Sequence, residues 1–245
     1  MIRCKSNILG CYTNSQSGND NIQELSHIFQ HLGCYYSTSF FRCFTICTAM
    51  LRLIEFFVCP WQVFGESGGG VRGVRHHKNV RRVIVHRQYD AATFENDIAL
   101  LELESPITFD AHIVPICMPR DDEDFTGKIA TVTGWGRLKY GVPSVLQEVQ
   151  VPVIENNVCQ EMFHTAGHAK TILSSFLCAG YANGQRDSCE GDSGGPLMIE
   201  REDGHWVLAG TVSHGIKCAA PYLPGVYMRT TYYKPWLQTI TVPNL

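Results

Sequence analysis

A ten-residue stretch of this chain has the composition of a nucleophile loop: Asp187-Ser188-Cys189-Glu190-Gly191-Asp192-Ser193-Gly194-Gly195-Pro196. Glycines tolerate backbone angles that other residues avoid, so a sharp turn can leave the Ser193 hydroxyl exposed at its tip. The backbone N–H groups of Gly191 and Ser193 are then open to a substrate carbonyl. Two such donors form an oxyanion hole, which stabilises the charge that develops in acyl transfer. A glycine-rich turn with an incidental serine leaves the surrounding acidic and cysteine positions unexplained.

A serine hydroxyl is a weak nucleophile until a general base takes its proton, and that base needs an orienting group. Asp97 is the candidate orienting group, because it precedes an apolar run in which an unpartnered carboxylate would be costly. The alternative role is an aspartate that caps a strand. The α/β-hydrolases share the Gly-x-Ser-x-Gly pattern, but they need an acid and a histidine on separate loops after the serine. Here Ser193 is followed by Asp203 and then by His205 or His214. These residues are too close together in the chain to lie on the separate loops that the α/β-hydrolases need.

Short apolar runs separated by turns predict the all-β architecture, a sandwich or barrel, that must position these residues. Strands are predicted over residues 82–86, 97–103, 130–136, 145–154, 206–215 and 225–229. Short helices are predicted over residues 158–169 and 232–240. Residues 65–73 are predicted to be a loop. The basic residues 72–82 are predicted to be solvated, with a binding site for an acidic partner as the alternative.

The composition indicates an oxidising compartment. The 245 residues include 11 cysteines, too many for an ordinary cytosolic enzyme. The odd number leaves at least one thiol unpaired within the chain or bonded to something outside it. The hydrophobic content of 44% supports a real core, and a net charge of −3 gives no indication of nucleic-acid binding. We expect a secreted or extracellular protein with no nucleic-acid partner, no cofactor and no metal.

The decamer around Ser193 resembles the nucleophile segment of the trypsin-like serine proteases, and the resemblance extends from about Val63 to the C-terminus. The residues around Cys117 are most similar to regulatory arthropod proteases, including membrane-anchored ones. The resemblance implies a serine endopeptidase with two antiparallel β-barrels and a short C-terminal helix. It also implies a catalytic role for Asp97, which lies in the family's Asn-Asp-Ile-Ala-Leu-Leu motif, beside the nucleophile Ser193.

Asp187 matches the carboxylate at the base of the family's primary specificity pocket, six residues before the nucleophile. A buried anion there favours Arg or Lys before the cleaved bond, as in trypsin itself. The other matching positions of the pocket and substrate-binding strand are small or hydroxylic: Ser188, Ser213, Gly215 and Gly225. His214 departs from the pattern, since the family usually has tryptophan or tyrosine there. The family's preference for residues upstream of the bond is therefore not carried over.

The resemblance also implies two disulfides, Cys189–Cys218 across the pocket rim and Cys159–Cys178. Cys117 matches the cysteine that tethers a protease domain to its pro-segment after activation. Its partner stays open, as does the pairing of the N-terminal cysteines: Cys4, Cys11, Cys34, Cys43, Cys47 and Cys59.

Residues 1–62 do not resemble the family, which places the protease domain at residues 63–245. The most apolar segment, residues 40–61, contains Arg42, Arg52 and Glu55, so neither a signal peptide nor a membrane span is predicted. We expect a cysteine-rich leader with little structure, or sequence that is foreign to the functional gene product. A small disulfide module, such as a regulatory pro-domain, is the alternative.

The family's general base, a histidine in an Ala-Ala-His-Cys motif, is missing, since no histidine here is followed by cysteine. The activation sequence Ile-Val-Gly-Gly, whose freed amine would pair with Asp192, is also missing. The loss of one continuous block predicts a truncated N-terminal barrel and a chain that is inactive or incomplete. The alternative is a non-catalytic protease homologue that binds or regulates partners. The missing histidine favours it, whereas the intact Ser193, Asp97 and Asp187 oppose it.

Overall fold

The computed structural model describes residues 44–47, 79–105 and 115–241. Within these ranges the strands are β1 (Phe44–Cys47), β2 (Val80–Val85), β3 (Ala99–Leu103), β4 (Ile129–Gly134), β5 (Gln147–Ile154), β6 (Phe176–Ala179), β7 (Pro196–Glu200), β8 (Trp206–His214) and β9 (Gly225–Arg229). The helices are α1 (Asn156–Thr165) and α2 (Thr230–Thr241). Of the leader, the structure describes only β1. The rest of the leader and the glycine-rich loop predicted at residues 65–73 lie outside the described residues.

Six strands close into an antiparallel barrel in the order β4-β5-β6-β9-β8-β7, with β4 paired to β7. The alternation of strand side chains explains the pairing: on β5, Val151 and Val153 are buried, whereas Pro152 between them is half-buried and Gln150 before them is exposed. The barrel core consists of buried residues from all six strands, among them Leu197, Val207 and Tyr227. A closed barrel leaves no unpaired edge.

The N-terminal part that the structure describes is a three-stranded sheet with β3 between β1 and β2. Ala99, Leu100 and Leu101 of β3 are all buried, as expected for a central strand covered on both faces. Ile98, just before β3, belongs to a second core cluster with Phe163 of α1, Met228 of β9 and Tyr233 of α2. This packing fixes the approach to β3 against the barrel.

The predicted all-β fold with a short C-terminal helix is confirmed, and several boundaries differ. The strand predicted to start at Asp97 starts at Ala99, because Asn96 has a φ of 55° and its carbonyl accepts from the N–H of Ile98. Helix α1 covers Asn156–Thr165 instead of 158–169, and Gly167 with a φ of +84° follows its end. Strands β1, β6 and β7 were not predicted. None of the described helices has the length and apolarity to cross a membrane.

Candidate active site

The segment around Ser193 is a tight, docked turn. Gly191 and Gly194 have φ values of +94° and +81°, which side-chain-bearing residues rarely adopt. The N–H of Gly195 donates to the carbonyl of Asp192 at 2.8 Å, and Ser193 is exposed inside this turn. The N–H of Gly194 donates to the carbonyl of Val212 on β8 at 2.8 Å, and the Val212 N–H donates back to Gly195 at 2.9 Å. The barrel thus holds the hydroxyl at the surface.

The Asp192 carboxylate lies beneath this turn and ties it to the end of β4. It accepts hydrogen bonds from the N–H of Gly136 at 2.8 Å and of Cys189 at 2.9 Å. A Cβ at Gly134 or Gly136 would overlap the carboxylate, so the glycines in this corner make room for it. Sequence analysis assigned Asp192 to a freed amine. The structure adds two backbone donors that orient the same carboxylate.

The peptide between Glu190 and Gly191 has the orientation that an oxyanion hole needs. The N–H of Arg137 donates to the carbonyl of Glu190 at 2.7 Å. In a planar trans peptide the carbonyl and the following N–H point in opposite directions. The Gly191 N–H therefore points away from Arg137, which leaves it as a candidate donor together with the N–H of Ser193.

Asp97 lies directly behind the strand that docks the nucleophile turn. Its side chain is 1% exposed, and its Oδ2 accepts a hydrogen bond from the Ser213 hydroxyl at 2.6 Å. Ser213 follows Val212 on β8, so neighbouring residues of one strand hold Asp97 and the nucleophile turn. Burial raises the pKa of Asp97 to about 6, and the Ser213 hydrogen bond opposes this rise. A buried carboxylate with one hydroxyl partner favours a further donor, such as an imidazole.

No described histidine contacts the Asp97 carboxylate. His214 is the nearest through hydrogen bonds: its Nδ1 lies 2.9 Å from the Ser213 hydroxyl, which separates it from Asp97. Its ring stacks on Phe94 with centroids 4.7 Å apart, and burial lowers its pKa to about 3. His214 is therefore too weakly basic to accept the proton of a serine at neutral pH.

His86 is not placed to act as the base. It packs against Trp236 and Tyr233 with centroid distances of 4.9 and 5.9 Å, which gives it a structural role. Several other histidines lie outside the described residues, among them His27, His31, His76 and His77. The structure therefore brings together a candidate nucleophile, the candidate donors of its oxyanion hole and an aspartate. The described residues supply no imidazole beside that aspartate.

The Asp187 carboxylate forms the floor of a second candidate site. Its oxygens accept from the N–H groups of Ser188 at 2.8 Å and Ala219 at 3.0 Å. Burial raises its pKa to about 6, and the charge of Asp192 adds to this. Among the described residues no lysine or arginine pairs with Asp187.

Glycines keep the space beside Asp187 open. A Cβ at Gly225 would lie 2.9 Å from Asp187 Oδ1, whereas a Cβ at Gly215 would meet nothing within 4 Å. The disulfide between Cys189 and Cys218, with Cα atoms 5.3 Å apart, joins the two segments that flank this space. The second disulfide expected from the resemblance, Cys159–Cys178, also forms, with Cα atoms 6.2 Å apart.

Comparison with known proteins agrees with this geometry. A family model described as Trypsin matches residues 61–237. The chain belongs to the trypsin family. The serine protease filzig of Drosophila melanogaster is 82% identical over 166 residues, which are 67% of this chain and 10% of that protein. The serine proteinase stubble of the same species is 49% identical over 162 residues, covering 65% and 21%.

A mammalian relative shows the same relationship at lower identity. The transmembrane protease serine 11C of Mus musculus is 39% identical over 165 residues, which are 66% of this chain and 38% of that protein. The chain thus spans well under two thirds of each of these trypsin-family relatives. The matches cover 162 to 166 residues.

Two polar contacts of this trypsin-family site were not predicted from the sequence. The Tyr227 hydroxyl lies 3.2 Å from Ser188 Oγ, and Tyr227 itself is fully buried below the pocket. Arg137 orients the Glu190 carbonyl through its backbone, which any residue type except proline would do. Neither contact has a local sequence signal, because both join segments that are distant in the chain. No cluster of possible metal ligands is found among the residues that the structure describes.

We expect Asp97→Asn to stabilise the fold at neutral pH. Burial raises the pKa of Asp97 to about 6, so between about pH 4 and 6 the native state keeps a proton that the unfolded chain loses. The stability of the parent should therefore fall as pH rises through this window. The amide variant should be about 3 kcal/mol more stable at pH 7 and equal at pH 4.

Urea unfolding at pH 4, 5, 6 and 7 measures this difference, with Asp122→Asn on an exposed loop as the matched control. The control should follow the parent at every pH. Identical pH profiles for the parent and Asp97→Asn would show that the ionisation of Asp97 does not lower the stability of the fold.

Proposed function

We propose that this chain carries the nucleophile and the recognition pocket of a serine endopeptidase that cleaves proteins after Arg or Lys. The observation that carries this proposal is Asp187, a partly buried carboxylate without a described cationic partner, beside Gly225, which has no side chain to cover it. The disulfide-linked segment at Cys189 connects Asp187 to the turn that presents Ser193. A substrate arginine or lysine supplies the missing counter-charge.

The geometry supports acyl transfer in the following order. The substrate carbonyl oxygen lies at the N–H groups of Gly191 and Ser193, and Ser193 Oγ bonds to the carbonyl carbon as its proton passes to an imidazole that Asp97 orients. The tetrahedral intermediate then collapses, and the amine leaves with that proton. Water attacks the acyl-enzyme by the same route, which releases the acid and restores Ser193.

We further propose that the 245-residue chain by itself does not cleave peptide substrates, because it lacks the family's histidine motif and activation sequence. The two disulfides support the proposal that the folded domain works outside the cell, where such bonds persist. Cys117 is the proposed attachment point of a pro-segment. Its backbone lies beside β8 and exchanges hydrogen bonds with Trp206 and Leu208 of that strand.

The proposed pocket is tested by the binding of p-aminobenzamidine, a small aromatic cation, which does not require catalysis. Because burial raises the pKa of Asp187 to about 6, the carboxylate gains a proton as pH falls through 6 and loses its attraction for the cation. We expect affinity to be constant above about pH 7 and to weaken about tenfold per pH unit below about 6.

Fluorescence titration from pH 4 to 8 measures this binding, with neutral p-aminobenzamide as the matched ligand control. The control should not bind at any of these pH values. Absence of saturable amidine binding, or an affinity independent of pH, would contradict the assignment of Asp187 as the pocket carboxylate.

A further inference from the structure

The side chains of Ser213 and His214 meet although the two residues are neighbours on one strand. Neighbouring residues of a strand normally point to opposite faces of the sheet. Here the pairing of β8 with β9 shifts register, which leaves Ser213 as an extra residue between the pairs Val212–Tyr227 and His214–Val226. A bulge of this kind re-aims a side chain. In this bulge His214 Nδ1 lies 2.9 Å from Ser213 Oγ.

The direction of the hydrogen bonds follows from a count of protons. An ionised Asp97 can only accept, so at 2.6 Å the Ser213 hydroxyl donates its single proton to Asp97 Oδ2. No second proton is left for His214, so the contact of 2.9 Å requires His214 Nδ1 to donate to Ser213 Oγ. Burial and the charge of Lys170 lower the pKa of His214 to about 3, so above about pH 4 its one ring proton lies on Nδ1.

Packing alone does not explain a histidine at this position. The ring stacks on Phe94 with centroids 4.7 Å apart and meets the edge of Phe176 at 5.4 Å. His214 Nε2 is buried, and no described residue donates to it. A phenylalanine would fill the same space without leaving a buried nitrogen unpaired, which costs stability. The donation from Nδ1 to Ser213 is what the histidine adds.

We propose that His214 is a positioning residue that donates through Nδ1 to the Ser213 hydroxyl and so strengthens the hydrogen bond by which Ser213 holds the Asp97 carboxylate. Hydrogen bonds in series polarise one another, and a buried carboxylate depends strongly on its few donors. In the proposed function, an ionised Asp97 stabilises the imidazolium that forms when Ser193 loses its proton. The inference rests on the proposed function for that step, whereas the direction of the hydrogen bonds does not depend on catalysis.

The charges around this hydrogen-bonded chain allow Asp97 to be titrated separately from the ring. Lys170 acts on His214 from the segment after α1, and its Nζ lies 5.8 Å from the centre of the Phe176 ring. Burial raises the pKa of Asp97 to about 6, and the Ser213 hydrogen bond opposes this rise. Because His214 stays neutral from pH 4 to 8, a titration over this range reports the ionisation of Asp97.

Nitrogen NMR of the 245-residue chain, grown with isotope-labelled histidine, tests the direction of the hydrogen bonds. The His214 signals are identified by their absence in His214→Phe. At pH 7.5 we expect Nδ1 to show the chemical shift of a protonated ring nitrogen and Nε2 that of an unprotonated one. A proton on Nε2 would overturn the proposal. This measurement needs only the parent to be folded under these conditions.

Carbon NMR of the Asp97 carboxyl, identified by its absence in Asp97→Asn, tests the positioning role. In His214→Phe the ionised form loses stabilisation, so we expect the midpoint of the titration to rise by about half a pH unit, a roughly threefold change in proton affinity. His214→Asn places an amide N–H near the position of Nδ1 and should restore the parent midpoint. His164→Phe, on the exposed side of α1, is the matched control and should titrate like the parent.

The outcomes separate this inference from the proposed function. An unchanged midpoint in His214→Phe, or no restoration by His214→Asn, would overturn the positioning role and leave the Asp187 pocket standing. If the ring proton lies on Nδ1 and the midpoint shifts as expected while the amidine fails to bind, the proposed pocket is overturned and the role of His214 stands.

Discussion

Asp187→Ser should weaken the binding of p-aminobenzamidine at pH 7.5 by about a thousandfold. The amidinium would enter a partly buried space whose anion has been removed, and an uncompensated charge in such a place costs about 3–5 kcal/mol. The N–H groups of Ser188 and Ala219 that now donate to the carboxylate would also lose their acceptor. In a form completed with the family's histidine segment, the same change should abolish the preference for Arg and Lys while Ser193 stays reactive toward a fluorophosphonate.

Calorimetric titration of the amidine measures the first effect, and competing cleavage of arginine and leucine peptides by the completed form measures the second. Asp122→Ser, on an exposed loop, is the matched control and should change neither result. Unchanged affinity and unchanged preference in Asp187→Ser would mean that the pocket lies elsewhere.

The second expected result is that the 245-residue chain does not cleave an arginine peptide at a measurable rate. The Asp97 carboxylate contacts a hydroxyl but no described imidazole, and His214, which lies beyond that hydroxyl, is too weak a base. Replacing residues 1–78 by the histidine-bearing segment of a trypsin-family protease should raise the rate by on the order of 10⁶-fold, which is the scale of losing a nucleophile–base pair.

Release of a fluorescent leaving group from an arginine peptide measures both forms, and Ser193→Ala of the completed form controls for contaminating proteases. Cleavage by the chain as given, abolished by Ser193→Ala, would contradict us and would require one of five histidines as base: His27, His31, His76, His77 or His86. A completed form that binds the amidine but reacts with neither peptide nor fluorophosphonate would favour the non-catalytic homologue.

Local motifs predicted much of the candidate site, because trypsin-family chemistry places its essential residues in short segments. The decamer around Ser193 and the aspartate motif at Asp97 are both readable without a structure. The contact that connects them cannot be predicted from the sequence. The hydrogen bond from Ser213 to Asp97 spans 116 positions and depends on how the N-terminal sheet packs on the barrel. The Asp192 contact with Gly136 and the Arg137 contact with Glu190 are long-range in the same way.

The missed strands have a related physical explanation. All four residues of β6 are buried, so the strand shows no alternation of apolar and polar positions. β7 starts at Pro196, inside the motif that was interpreted as the nucleophile turn. Both strands are defined by their partners: β6 lies between β5 and β9, and β7 closes the barrel between β4 and β8. Barrel closure depends on distant pairings that no single window of sequence contains.

The strand order also determines in which order the strands can pair while the chain is being synthesised. As the chain emerges, β4, β5 and β6 pair in the order of synthesis, and so do β7, β8 and β9. The free edge of β4 is paired only after β7 has been made, and the free edge of β6 only after β9, the last of the described strands. Cys178 of β6 and Cys218, just before β9, follow their disulfide partners by 19 and 29 residues. The Asp187 pocket, which needs Gly225, therefore forms only after nearly the whole domain has left the ribosome.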